Sequence, residues 1–270
     1  METTQIVLLS IVQGLTEFLP ISSSGHLILT PLLFGYKLQD LAFDVAVHLG
    51  TLVAVMLYFR GEITAMIVAC VDSLKSRRMI TSNAELAWMI ILASIPVVLL
   101  GLPLKSLLEL LREDKRLIAL VIAATMIGFG LVLWITDMRG SRSQDEHSLS
   151  WKGALLVGLF QAIAIIPGTS RSGITMTAGL ILDLTRRAAS RFSFLLAIPT
   201  ILMAGGLETL QLIRSPTPVD WTALWLGTFL SFVVAYLTIH FFLGFIEKIG
   251  MFPFVLYRVL LGALILVLVF

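Results

Sequence analysis

Six stretches of this 270-residue sequence are apolar and nearly free of charge over about 18 to 20 residues each. An α-helix of that length crosses the hydrocarbon core of a bilayer, which is about 30 Å thick. Polar backbone groups inside such a core must be paired within the segment, and a helix achieves this by itself. The predicted membrane-spanning segments are residues 43–60, 86–104, 117–136, 190–213, 221–243 and 252–270.

The composition supports a membrane protein and excludes several other classes. Only 13% of the residues are charged and 58% are hydrophobic, whereas soluble domains carry about 25% charged residues. The single cysteine, Cys70, excludes an intramolecular disulfide, and the sequence has no cysteine cluster for zinc or an iron–sulfur centre. The net charge of +2 gives no indication of a nucleic acid partner.

Two further apolar segments are interrupted by proline, glycine and serine, and they are residues 5–35 and 151–184. Each is too broken for one straight helix and too short for two full crossings. Both contain, in the same order, a glutamine, an apolar turn, a proline, a cluster of hydroxyl residues and a glycine. The interval from Gln13 to Gly25 is twelve residues, and so is the interval from Gln161 to Gly173. We interpret the two segments as copies of one unit.

The predicted fold is an all-α polytopic membrane protein with an inverted-topology repeat. Each half consists of a re-entrant helical hairpin followed by three transmembrane helices, and the odd number of crossings inserts the second copy upside down. Irregular backbone cannot face lipid, so the two hairpins should meet inside the protein near the middle of the membrane. The predicted units are residues 1–136 for the first repeat, 137–150 for a linker and 151–270 for the second repeat.

The first hairpin carries ionisable residues at membrane depth. Such a residue costs about 2.5–3.5 kcal/mol to insert, so a functional role is the leading hypothesis for each. Gln13 lies four residues before Glu17, and both side chains therefore share one helix face. They can bind a metal ion or a hydroxyl group there, although polar side chains also join membrane helices.

Three serines follow, and they are Ser22, Ser23 and Ser24. Their hydroxyl groups lie where a second half-helix begins, and the unpaired backbone N–H groups of such an N-terminus attract phosphate or carboxylate. His26 lies one turn after Ser23 and is expected to take its hydroxyl proton. We predict that Ser23 is a nucleophile with His26 or Glu17 as its base, and keep phosphorylation of His26 and direct attack by water as alternatives.

The second hairpin places an arginine in a similar helix restart. Glycine allows the backbone to approach a ligand closely, and the guanidinium of Arg171 can bind two phosphate oxygens. The alternative is that Arg171 only neutralises Glu17 as a structural ion pair. The predicted catalytic residues are Glu17, Ser23, His26 and Arg171. The predicted substrate-binding residues are Gln13, Ser22, Ser24, Gly168, Thr169, Ser170, Ser172 and Thr175.

These residues together resemble a known family. The undecaprenyl pyrophosphate phosphatase family, linked to bacitracin resistance, has motifs similar to QGLTE at 13–17, SSSGH at 22–26 and PGTSRSGIT at 167–175. The resemblance covers the whole chain and implies hydrolysis of a C55 polyprenyl pyrophosphate to the monophosphate carrier of cell-wall assembly, in the bacterial inner membrane. It also implies a divalent cation, Mg²⁺ or Ca²⁺, for which Glu17 is the candidate ligand.

The loop charges orient the chain in the membrane. The side that holds both termini has six basic residues, which are Lys37, Lys105, Arg112, Lys115, Arg116 and Arg214. The other side has eleven, which are Arg60, Lys75, Arg77, Arg78, Arg139, Arg142, Lys152, Arg186, Arg187, Arg191 and Lys248. The richer side is cytoplasmic by the positive-inside rule, so the site is expected to open to the extracytoplasmic side. Residues 60–84 are expected to form a cytoplasmic loop.

A transporter is the alternative to an enzyme, because inverted repeats with broken helices are equally typical of secondary transporters. A lipid-phosphate flippase or an anion transporter would fit the same architecture. The Ser23 hydroxyl beside Glu17 and His26 favours the enzyme, since transport requires no nucleophile with an adjacent base. Polyprenyl pyrophosphate and membrane lipids are the predicted partners, and both a monomer and a homodimer remain open.

Overall fold

The computed structural model describes residues 1–76, 81–214 and 220–269. Within these ranges the chain forms eleven α-helices, joined by short connections and one 3₁₀ helix at Glu146–Ser148. The helices are α1 (Thr3–Thr16), α2 (Ser23–Phe34), α3 (Leu41–Tyr58), α4 (Arg60–Ser76), α5 (Ser82–Glu113), α6 (Lys115–Met138), α7 (Trp151–Ile163), α8 (Arg171–Ile181), α9 (Arg186–Arg214), α10 (Trp221–Ile249) and α11 (Phe252–Val269).

Six of the described helices are long and apolar enough to cross a membrane. The spans are Leu41–Tyr58 in α3, Ser82–Gly101 in α5, Arg116–Met138 in α6, Arg186–Leu210 in α9, Trp221–Ile249 in α10 and Phe252–Val269 in α11. Each overlaps one of the six stretches predicted from the sequence, so the all-α polytopic fold is confirmed. Large apolar side chains lie on the outer surfaces of these helices, as expected where they contact lipid.

Four shorter helices form the two interrupted segments. α1 and α2 flank a break at residues 17–22, and α7 and α8 flank a break at residues 164–170. They have 14, 12, 13 and 11 residues, which corresponds to about 17 to 21 Å at a rise of about 1.5 Å per residue. Each is too short to cross the hydrocarbon core alone. Re-entrant insertion and the repeat boundaries remain predictions.

The first helix of each half packs against the other half. α1 contacts α10, and α7 contacts α5. A glycine permits each close approach, because a methyl group at Gly14 would lie 2.7 Å from the Val234 side chain and one at Gly158 would lie 2.5 Å from the Ala93 carbonyl oxygen. Further contacts across the halves join α3 to α10 and α6 to α11. Two repeats related by a twofold axis would exchange helices in this way, and the inverted relation itself remains a prediction.

One predicted loop is a helix. Residues 60–84 were expected to form a loop because of their charges, but most of the segment forms α4. Lys75 is exposed, whereas Met66 is buried and Ser73 accepts a 3.0 Å hydrogen bond from Trp88 of α5. The segment is therefore a helix packed against α5. Two of the basic residues counted for this side lie outside the described residues, namely Arg77 and Arg78.

Ion pairs tie the start of α9 to the end of α6, to α4 and to the linker between the halves. Arg186 pairs with Asp137 at 2.6 Å. Arg191 pairs with Glu62 of α4 at 2.6 Å and also with Glu146 of the linker. These contacts hold the beginning of α9, and the later part of the same helix forms one wall of the site described next.

Candidate active site

The helices α2 and α8 both begin with a strained turn. Each is preceded by a serine with left-handed backbone, Ser22 with φ 77° and Ser170 with φ 71°. Each serine side chain also accepts a hydrogen bond from the third residue of its helix, from Gly25 N–H at 3.4 Å and from Gly173 N–H at 3.1 Å. A left-handed backbone conformation costs a residue other than glycine about 1–3 kcal/mol of conformational free energy. Its presence at matching places in both halves indicates a functional site.

Hydrogen bonds join the two breaks directly. The Ser172 hydroxyl donates to the Leu19 carbonyl oxygen at 2.8 Å. The Arg171 guanidinium donates through one nitrogen to the Glu17 carboxylate at 3.2 Å, and through another to the Ser193 carbonyl oxygen of α9 at 3.0 Å. Arg171 is therefore held from two sides, with its positive charge beside Glu17.

The Glu17 carboxylate lies at the centre of this arrangement. Its Oε1 receives the Arg171 hydrogen bond, while its Oε2 accepts from the Ser23 hydroxyl at 2.8 Å and from the Gln13 side-chain amide at 3.0 Å. The carboxylate is buried, and a buried charge requires such partners. A hydroxyl group that donates to a fixed carboxylate is the arrangement of a nucleophile with an adjacent base.

No hydrogen bond joins His26 to the Ser23 hydroxyl, although the sequence had suggested one. Its Nδ1 lies 2.7 Å from the Ser22 carbonyl oxygen and its Nε2 lies 2.6 Å from the Tyr257 hydroxyl of α11. Because a carbonyl can only accept, Nδ1 carries the ring proton and Nε2 accepts from Tyr257. Both ring nitrogens are thus engaged. The expected transfer of the Ser23 proton to His26 has no support in this geometry, and Glu17 is the base that contacts the hydroxyl.

Arg258, in the middle of α11, holds the two breaks together. Its side chain is fully buried and donates five hydrogen bonds to main-chain carbonyl oxygens. The acceptors are Pro20 in the first break, Gly168 and Thr169 in the second, and Thr125 and Met126 in α6. Arg258 was not among the residues predicted for the site. The available signal was a lone guanidinium in an otherwise uncharged helix.

The structure divides the predicted substrate-binding residues into two groups. Three line the cavity beside Glu17, namely Ser24, Ser170 and Ser172. Five lie behind that surface, namely Gln13, Ser22, Gly168, Thr169 and Thr175. The carbonyl groups of Gly168 and Thr169 accept from Arg258, and the Thr175 hydroxyl is 2.7 Å from the Ser193 hydroxyl. The second group therefore supports the shape of the site.

A cavity of about 550 Å³ opens in front of these groups. Glu17, Ser23 and Arg171 line it together. Its apolar walls come from α2, α6 and α9 and include Leu27, Ile28, Ile118, Ile122 and Ile201. Three more ionisable residues line it that were not among the predicted site residues, namely Asp44, His48 and Glu208. A cavity that combines charged and hydroxyl groups with apolar walls suits a ligand that has both a polar head group and an apolar chain.

Comparison with known proteins shows which family the chain belongs to. The sequence profile described as "Bacitracin resistance protein BacA" matches residues 6–264. The chain belongs to this family. The "Undecaprenyl-diphosphatase 2" of Stutzerimonas stutzeri is 56% identical to it over 271 residues, which is 99% of this chain and 98% of the relative. The "Undecaprenyl-diphosphatase" proteins of Alteromonas mediterranea and Nitrosococcus oceani are 54% and 52% identical, and in both cases 98% of each chain is covered.

The protein groups of this BacA-family site do not build a metal cage by themselves. Both oxygens of Glu17, the predicted metal ligand, are engaged, by Arg171 on one side and by Ser23 and Gln13 on the other. Among the described residues, no group of three or more His, Cys, Asp or Glu residues is placed to hold an ion. A divalent cation would therefore need pyrophosphate oxygens and water as its main ligands.

Proposed function

We propose that the protein hydrolyses undecaprenyl diphosphate to undecaprenyl phosphate and inorganic phosphate, which returns the lipid carrier of cell-wall assembly to its monophosphate form. Relatives that are 51–56% identical over nearly the whole chain carry the name undecaprenyl-diphosphatase. The structural observation that carries the proposal is the 2.8 Å hydrogen bond from the Ser23 hydroxyl to Glu17, with Arg171 beside it, in a cavity that also has apolar walls.

In the first step Glu17 accepts the Ser23 proton, and the Ser23 oxygen attacks the terminal phosphorus. The bond from that phosphorus to the bridging oxygen breaks, and undecaprenyl phosphate leaves with the bridging oxygen and its electron pair. The enzyme is left with a phosphoserine and a protonated Glu17. Water then attacks the phosphoserine in a second step and releases inorganic phosphate.

The cavity offers separate surfaces for the two ends of the substrate. The first turns of α2 and α8 supply backbone N–H groups and the positive ends of two helix dipoles, and Arg171 adds a full positive charge. Phosphoryl transfer requires mainly positioning and charge stabilisation, which these groups can provide. The prenyl chain would lie along the apolar walls formed by α2, α6 and α9.

A lipid-phosphate flippase or anion transporter is the second candidate function, because the paired broken helices would suit it equally. Binding alone would be served by Arg171 and the two helix N-termini. A protein that only binds and moves its substrate has no need of a hydroxyl group held at 2.8 Å from a buried carboxylate. We therefore favour covalent hydrolysis over transport.

We also propose the bacterial cytoplasmic membrane as the location, with the cavity open to the extracytoplasmic side. The cavity is lined by the connection before α3, the beginnings of α3 and α6, and the second half of α9. In the predicted topology these parts lie on the side that holds both termini, which is the side with fewer basic residues. A homodimer remains a prediction, and the molar mass of the detergent-solubilised protein by light scattering would test it.

Phosphate release from polyprenyl diphosphates of different chain length by the purified protein tests the proposed function. We expect release with the wild type, a loss of at least about a hundredfold in Ser23→Ala, and no loss in Ser76→Ala, since Ser76 is exposed on α4. If the protein instead moves labelled lipid across proteoliposomes without releasing phosphate, the transporter is correct.

A further inference from the structure

His48 of α3 lies in the cavity beside the proposed catalytic pair. Its Nε2 is 3.8 Å from Glu17 Oε2, the same oxygen that accepts the Ser23 hydroxyl. Its Nδ1 is 2.7 Å from the Asp44 carbonyl oxygen, so Nδ1 carries the ring proton and Nε2 faces the site. The side chain is 32% exposed, so water in the cavity can reach it.

The second step of the proposed reaction needs a base other than Glu17. After Ser23 is phosphorylated, Glu17 holds the hydroxyl proton, and it must return that proton when the Ser23 oxygen leaves. It therefore cannot also accept a proton from the attacking water. Gln13, the nearest residue in the motif, is an amide that donates to Glu17 and has no basic nitrogen. His26 has both ring nitrogens engaged.

We propose that His48 is the general base that activates the water in this second step, an inference that rests on the proposed function and its covalent route. Water adds to the phosphorus while its proton passes to His48 Nε2. The bond from phosphorus to the Ser23 oxygen breaks, and that oxygen takes the proton of Glu17. The products are free Ser23, inorganic phosphate, ionised Glu17 and protonated His48, which returns its proton to water in the cavity.

The orientation of the ring supports this role over simple packing. A hydrogen bond to the Asp44 carbonyl fixes the imidazole along the helix and leaves the other nitrogen directed at the reacting groups. The 3.8 Å separation from Glu17 Oε2 is too long for a direct hydrogen bond, so Nε2 can accept a hydrogen bond from water in the cavity.

The test is rapid-quench kinetics of wild type and His48→Gln with undecaprenyl diphosphate labelled in its terminal phosphate. We expect undecaprenyl phosphate to form at the wild-type rate in the first turnover of His48→Gln. Phosphate release should then be at least about a hundredfold slower, which is the lower end of what a positioned general base contributes, and labelled phosphoserine should accumulate. Added imidazole should restore phosphate release in His48→Ala, which a packing role does not predict.

The matched control is His240→Gln, because His240 is exposed on α10 and contacts Tyr58 and Phe241 outside the cavity. It should leave both steps unchanged. Slowing of the first turnover in His48→Gln, or unchanged phosphate release, would overturn the role of His48. Neither result would refute the proposed hydrolysis of undecaprenyl diphosphate. Absence of phosphoserine in both wild type and His48→Gln would refute the covalent route, and absence of hydrolysis in the wild type would refute the proposed function.

Discussion

Ser23 and Arg171 are the first residues of α2 and α8, and they contact the same carboxylate. Ser23 donates to Glu17 Oε2 at 2.8 Å, and Arg171 donates to Oε1 at 3.2 Å. The nucleophile proposed in one half and the cation of the other thus occupy equivalent places after the matched strained turns. Glu17 has no carboxylate counterpart in the second half, because Ile165 occupies the matching position there. Neither half contains a complete site.

The identity of the nucleophile can be read from the acid stability of the intermediate. Acid quench of the wild type with terminally labelled substrate should leave label on the peptide that contains Ser23, because phosphoserine survives acid. Ser23→Ala should remove the label, whereas Ser24→Ala should keep it. Acid-labile label that persists in Ser23→Ala would assign the role to His26. Absence of label under single-turnover conditions would indicate direct attack by water.

Replacement of Arg171 by lysine should impair hydrolysis. Arg171→Lys keeps the charge but loses the planar fork that reaches both Glu17 and Ser193, so kcat/KM should fall at least about tenfold, or about 1.4 kcal/mol. Activity near that of the wild type would remove Arg171 from the mechanism. If Arg171 serves only to neutralise Glu17, the double variant Glu17→Gln, Arg171→Gln should recover folding but not turnover, because it also lacks the proposed base.

Replacement of Arg258 should destabilise the fold as well as the site. Lysine cannot donate to five carbonyl groups in different directions, and buried acceptors left unpaired cost about 1–3 kcal/mol each. We expect Arg258→Lys to lower the thermal midpoint of the detergent-solubilised protein and to abolish phosphate release. Arg139→Lys is the control, because Arg139 is exposed. An unchanged thermal midpoint and full activity in Arg258→Lys would contradict the proposal that Arg258 holds the two breaks together.

Cysteine labelling in intact cells tests the orientation. In a Cys70→Ser background, Lys37→Cys should react with a membrane-impermeant thiol reagent, because Lys37 is exposed and directly precedes Leu38 and Gln39, which line the cavity. Ser76→Cys, exposed at the end of α4, should react only after the cells are permeabilised. The opposite pattern would reverse the proposed orientation.

A divalent cation should bind with the substrate and only weakly without it. The engaged Glu17 carboxylate leaves pyrophosphate and water as the main ligands. The electron paramagnetic resonance signal of Mn²⁺ should therefore remain that of the free ion with protein alone, and broaden when a polyprenyl diphosphate is added to the Ser23→Ala variant. Tight Mn²⁺ binding by the protein alone would contradict this prediction. Equal phosphate release with and without chelator would exclude a metal requirement.

The sequence by itself determined the number of spans and the motif residues of both halves. Span length and apolar content are local properties, because the bilayer imposes its thickness on each segment separately. The breaks were equally readable, since proline, glycine and serine restrict the backbone where they occur. The family followed from the same motifs, and the profile match confirmed it.

The tertiary structure alone decided which of these residues touch. His26 is engaged by Tyr257, 231 residues away in sequence, and this contact leaves Glu17 as the base beside Ser23. Arg258 reaches carbonyl groups in three other segments. Local patterns cannot predict such contacts, because the distance between segments far apart in sequence and the rotamer of each side chain depend on how the whole bundle packs.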